Sequence, residues 1–240
     1  MSTWSSNFRC VTGPKSYAAP RPLTFLRHIK VFEMQTAALR YELGDHHTYD
    51  FIEGSIPHPT APEIEDLFPG DEEFFTYFDA TSSLSCRTAL DDLEAYITAE
   101  GPFDAVMAFS QGASLAATLM VRQLQREPAN RPVQPFFKCA VFFSGGIPAD
   151  PATLPGEELR PLDYATDGEV IHVPTAHIYG SNDQQYPTFG PVLSKLCDAK
   201  MRTVFVHEGG HEVPGTRLKD AVSGAVNAIR KAVDMALTVQ

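Results

Sequence analysis

The chain is short of cysteine, of basic residues and of long apolar runs, and each shortage excludes something. Four cysteines occur in 240 residues, Cys10, Cys86, Cys139 and Cys197, none of them in a C-x-x-C pair. The sequence therefore specifies neither a disulfide framework nor a cysteine zinc site, and it fits a reducing compartment, the cytoplasm. Lysine and arginine number 19 against 30 aspartates and glutamates, a formal charge of −11. That balance disfavours nucleic acid or an anionic membrane as the principal partner. The N-terminal stretch holds no continuous apolar h-region, and no apolar run reaches membrane-spanning length. The expectation is a soluble protein with no membrane and no nucleic-acid partner, and small-molecule chemistry stays open.

What is present is core-forming material: 43% of the residues are hydrophobic, enough for one substantial domain. Residues 1–21 show no sustained period and read as an irregular extension; the main domain is expected over 22–240. Leu23 to Leu26 suggests a short strand, followed by Phe32, Leu39 and Leu43 at helical spacing and a stop at Gly44. Thr48 to Ile52 reads as a strand. Residues 55–85 form a proline-broken insertion carrying Phe68, Phe74, Phe75 and Phe78, readable as a cleft-covering lid or as ordinary core packing.

Beyond the insertion the period alternates. Helices are predicted from Arg87 to Ala99, Gln111 to Arg126, Phe189 to Leu196 and along the closing segment through Leu218, Val222, Ala225, Ile229 and Val233. Short apolar strands are predicted at Ala105 to Phe109, Lys138 to Phe143, Thr175 to Tyr179 and Arg202 to Val206. Such alternation implies a single three-layer α/β domain on a mainly parallel sheet.

Three positions could act together. Ser110 stands where the Ala105 to Phe109 strand turns into the next helix, with small Ala108 and Gly112 on either side, the composition a sharp nucleophile elbow requires. The rival reading of Ser110 is a helix N-cap. Asp183 follows the strand ending at Tyr179 through Gly180-Ser181-Asn182, where it could orient a histidine or close a local turn. His211 follows the next strand in His207-Glu208-Gly209-Gly210-His211, whose glycines let the loop bend back over the sheet edge. The string also spells the H-E-x-x-H of zinc enzymes, but that chemistry needs a helix, and a preceding strand with paired glycines opposes one. No metal is expected. His207 reads as a packed or solvent-facing loop histidine, and Ser144-Gly145-Gly146 as a turn whose Gly145, Gly146 and Ile147 could line a substrate cleft beside Phe109.

Taken together, Phe32, Gln35, Thr36-Ala37-Ala38-Leu39, Gly101-Pro102-Phe103-Asp104, Phe109-Ser110-Gln111-Gly112-Ala113, the His177 to Asp183 region and Gly209-Gly210-His211-Glu212-Val213-Pro214 resemble the fungal serine hydrolases of the FSH type. These form an α/β-hydrolase branch related to polyketide-releasing thioesterases. The resemblance implies Ser110 as nucleophile, Asp183 as orienting acid, His211 as general base and no cofactor. It also implies ester or thioester cleavage on a small-molecule or carrier-bound acyl substrate, with a polyketide synthase as partner. Where the family has a Leu-His-Gly-like oxyanion loop after its first strand, this chain reads Leu23-Thr24-Phe25-Leu26-Arg27-His28-Ile29-Lys30-Val31. Gln111 supplies one backbone donor; Gly13-Pro14 or Leu26 to Lys30 are candidates for the second. A missing donor costs about 3 to 4 kcal/mol of transition-state stabilisation, so the competing expectation is a noncatalytic α/β-hydrolase-like binding module.

Overall fold

Six strands pair in parallel to make one sheet, in the order β2-β1-β5-β6-β7-β8. They are β1 (Arg9–Thr12), β2 (Thr48–Phe51), β5 (Ala105–Phe109), β6 (Cys139–Phe143), β7 (Thr175–Gly180) and β8 (Arg202–His207). The computed structural model describes residues 9–12, 30–58, 74–126, 134–156, 158–218 and 220–238. A separate antiparallel pair, β3 (Ile56–His58) and β4 (Phe74–Thr76), stands apart from the sheet.

Helices cover both faces. Central strands β5 and β6 read Ala-Val-Met-Ala-Phe and Cys-Ala-Val-Phe-Phe, apolar at successive positions rather than alternating, because both of their faces are buried. On one face α3 (Ser83–Glu100) and α4 (Ser110–Arg126) pack Leu90, Leu93, Leu115 and Leu119 into the larger core. On the other, α2 (Ala37–Leu43) and α7 (Ala221–Thr238) bring Leu39, Ala225, Ile229 and Ala232 against Met107, Val141 and Ile178. Three shorter helices, α1 (Lys30–Gln35), α5 (Tyr164–Asp167) and α6 (Phe189–Lys195), complete the described α-helices. Ser82 caps α3, its hydroxyl accepting from the Ser85 amide at 3.2 Å. The chain has the α/β-hydrolase architecture.

The N-terminal expectation needs correcting. Arg9–Thr12 is not irregular: it forms β1 inside the sheet, with Cys10 in register with Tyr49 on one side and Ala105 on the other. Four residues are too few to display a period, and what makes them a strand is pairing with two neighbours far along the chain. Leu23 to Leu26 and Gly13-Pro14 lie outside the described residues, as do residues 59–73 of the insertion. Of the insertion's aromatics, Phe78 is buried in the larger core and Phe75 is half-buried. The helix expected through Phe32 and Leu43 divides in two at Thr36, whose hydroxyl donates back to the Phe32 carbonyl at 2.7 Å.

Candidate active site

Strand β5 ends at Phe109 and α4 begins at the very next residue. The chain makes that reversal by holding Ser110 at φ 49, a left-handed conformation costing a non-glycine residue roughly 1–3 kcal/mol. Such strain survives only where packing over-determines it, and here it lifts the serine hydroxyl out of the sheet edge. Beneath the elbow the Gly146 amide donates to the Ser110 carbonyl at 2.9 Å. A Cβ on Gly145 would stand 2.5 Å from Leu193 Cδ2. Gly145 and Gly146 are buried as spacers under the elbow; Ile147 is half-buried, and its carbonyl accepts from the Ser114 hydroxyl at 2.7 Å.

Two loops at the same sheet edge carry the other groups. Asp183 lies on the loop after β7 and His211 on the loop after β8, and backbone bonds join these loops: Ser181 N–H to the His207 carbonyl at 2.8 Å and Asn182 N–H to the Gly209 carbonyl at 3.0 Å. Gly180 permits the approach, since a Cβ there would sit 2.1 Å from the Gly209 carbonyl oxygen. The outcome is one hydrogen-bonded line. His211 Nε2 is 2.9 Å from Ser110 Oγ, and His211 Nδ1 is 2.7 Å from Asp183 Oδ2. The other oxygen, Oδ1, accepts from the Gln185 and Tyr186 amides at 3.1 and 2.8 Å, which fixes the carboxylate's orientation. An imidazole with a hydroxyl on one nitrogen and a carboxylate on the other can take the hydroxyl proton and have its positive charge stabilised.

The backbone and side chain of Gln111 face different surroundings. Its backbone amide opens α4, where unpaired N–H groups and the helix dipole favour negative charge. Its side chain grips the β4 segment: Oε1 accepts from the Tyr77 amide at 2.9 Å and from the Thr76 hydroxyl, while Nε2 donates to the Phe78 carbonyl at 2.9 Å. Tyr77 thereby lies against the elbow helix, 3.0 Å from where a Gly112 Cβ would project. Glu53, just past β2, sits beside this tyrosine, and burial pushes its carboxyl up to about 7.

Aromatic rings crowd the imidazole. Phe109 has its centroid 5.0 Å from that of His211, Tyr186 lies at 4.8 Å and Phe189 at 6.4 Å. Sequence periodicity gave no sign of Tyr186, because it stands in an irregular loop; the Gln111 side-chain grip was equally invisible, since its partners lie more than thirty positions away.

The H-E-x-x-H string is not helical. His207 closes β8, and residues 208–212 form bends. His207 is buried, its Nδ1 accepts from the Gly209 amide at 3.1 Å, and burial lowers its pKa. With His211 turned toward Ser110 and Asp183, the two histidines hold different partners and do not share the single helix face that zinc ligation by this motif uses.

Residues 25–221 match the family described as serine hydrolase (FSH1). The chain is 41% identical over 214 residues to esterase FPY3 of Fusarium mangiferae, covering 88% of this chain and 94% of that protein. It is 30% identical over 179 residues to hydrolase phiM of a fungal species, covering 74% and 77%. The crystal structure of esterase PE8 aligns over 95% of this chain and 92% of its own, with a TM-score of 0.55 at 18% identity, a likeness of fold.

Proposed function

The chain belongs to the serine hydrolase (FSH1) family, and from that membership we propose that it cleaves acyl esters or thioesters through an acyl-enzyme formed on Ser110. The reading is carried by the unbroken line from Ser110 Oγ through His211 to Asp183. His211 Nε2 takes the hydroxyl proton as Ser110 attacks the substrate carbonyl; Asp183 holds the ring in the correct tautomer and stabilises the imidazolium. The imidazolium then passes that proton to the departing oxygen or sulfur as its bond to carbon breaks. Water, deprotonated by His211, attacks the acyl-enzyme, and the acid leaves as Ser110 recovers its proton. The Gln111 amide faces the negative oxygen of each tetrahedral intermediate. Every group in this sequence of steps is a side chain or a backbone amide, so the reaction as written calls for no metal or organic cofactor.

Phe109 and Ile147 are assigned as apolar walls of the acyl site, with Gly145 and Gly146 shaping it from below the elbow. The β3 and β4 pair, fastened by Gln111, is assigned as a fixed edge of the cleft, within a hydrolase domain that takes in β1. The acyl group is assigned to a small molecule or to a carrier domain, and the family resemblance supports a polyketide synthase as its source. All four cysteines are buried, and Cys86, Cys139 and Cys197 are free thiols, which supports a cytoplasmic location.

Labelling with a small fluorophosphonate tests the reading. Wild-type protein should be modified at Ser110, Ser110→Ala should fold and stay unlabelled, and ester hydrolysis should fall by about 10³-fold or more in that variant. Hydrolysis at the original rate by Ser110→Ala would remove the nucleophile. Folded wild-type protein that neither labels nor cleaves short and medium acyl esters would instead be a binding module.

A further inference from the structure

We propose that Tyr186 and Phe189 form a leaving-group shelf that selects esters whose alcohol carries an aromatic ring. The inference rests on the hydrolase reading above and narrows its substrate class on one side of the scissile bond. The two rings are stacked, 4.5 Å between centroids with planes 25° apart, and Tyr186 leaves 43% of its surface exposed. The structural duty of residue 186 is met by its backbone, whose N–H donates to Asp183 Oδ1, and any residue other than proline could do that. A large exposed ring stacked on a second one is thus not required by the hydrogen bonding of the loop.

The chemistry places the departing group beside this shelf. His211 Nε2 must deliver a proton to the leaving oxygen, which therefore comes within about 3 Å of that nitrogen. The Tyr186 centroid is only 4.8 Å from the imidazole centroid, and Phe189 lies at 6.4 Å. Offset or edge contacts between aromatic rings are favourable at centroid separations of roughly 4.5–7 Å, and a ring attached one carbon beyond the leaving oxygen extends toward such a contact with Tyr186. The acyl chain departs from the carbonyl carbon along a different bond, so the shelf acts on the alcohol and leaves acyl preference to other walls.

Benzyl butyrate and cyclohexylmethyl butyrate share an acyl group and have alcohols of similar size and acidity, which isolates the ring's π character. Wild-type kcat/KM should favour the benzyl ester by about three- to tenfold. Tyr186→Ala should abolish that ratio and Tyr186→Phe should keep it, while the ratio between ethyl phenylacetate and ethyl cyclohexylacetate stays unchanged in both variants. Equal wild-type rates on the two butyrates, or a benzyl preference that survives Tyr186→Ala, would overturn the shelf. So would a uniform loss across all four esters, which would mark Tyr186 as a support for the Asp183 loop. If the wild type cleaved none of the four and took no fluorophosphonate label, the hydrolase reading itself would fail and the shelf with it; protein that labels at Ser110 yet cleaves none of the four would overturn the shelf alone.

Discussion

The Asn182 amide donates to the Gly209 carbonyl at 3.0 Å, and through that bond the loop bearing Asp183 and the loop bearing His211 form one unit. The Asn182 side chain adds a second link, donating to the Glu208 carbonyl at 2.6 Å. Parallel strands β7 and β8 bring both loops to the same end of the sheet, since every parallel strand presents its C-terminus on one side. The geometry of acid and base is thus set by backbone, and the side chains inherit it.

Asp183→Asn should separate orientation from folding. The amide oxygen can still accept from Gln185 and Tyr186, but its NH₂ would face His211 Nδ1 and force the proton onto Nε2, where it cannot accept from Ser110. Hydrolysis should fall by roughly 10⁴-fold with little change in thermal midpoint. Steady-state kinetics beside a melting curve would decide, and a rate within tenfold of wild type would contradict the role given to the carboxylate.

Replacing Gln111 by leucine keeps the backbone amide at the elbow and removes the grip on residues 76–78. The Tyr77 N–H, the Thr76 hydroxyl and the Phe78 carbonyl all lose a partner. Unfolding free energy should drop by about 1–3 kcal/mol, read from the midpoint of urea denaturation at constant m. KM should rise more than kcat falls, because the wall beside the elbow loosens while the oxyanion donor stays. A fall confined to kcat would mean that the side chain acts on the chemistry instead.

Acid sensitivity should trace in part to His177. It is buried on β7, shares a hydrogen bond with the Thr175 hydroxyl at 3.0 Å, and burial, with Arg202 nearby, lowers its pKa from 6.5 to about 3. The unfolded chain therefore takes up this proton first as pH falls, so the contribution is complete above about pH 6.5 and shrinks steadily toward pH 3. Between pH 7 and pH 5 the loss should be about 2 kcal/mol. His177→Gln cannot titrate, and urea midpoints at the two pH values should lie closer together than in wild type; an unchanged gap would assign the acid sensitivity to other groups, the buried His207 among them.

Much of this molecule can be read from local sequence. Apolar runs such as Cys139–Phe143 and the helical stripe of α7 betray their structure because burial imposes a period on neighbouring residues. The string Phe109-Ser110-Gln111-Gly112 announces an elbow because only small neighbours tolerate that turn, and the order of Ser110, Asp183 and His211 follows from which strand ends carry them. None of this needs contacts between distant residues.

Tertiary structure alone decided the rest. Arg9–Thr12 is a strand because β2 and β5 flank it; the Gln111 side chain finds its partners across 33 to 35 positions; and the Tyr186 ring comes against His211 from an irregular loop. Spacing along a chain encodes the twist and pleat of one element. Which elements become neighbours is set by the pairing and packing of the whole sheet, and the residues joined that way carry no shared local signal.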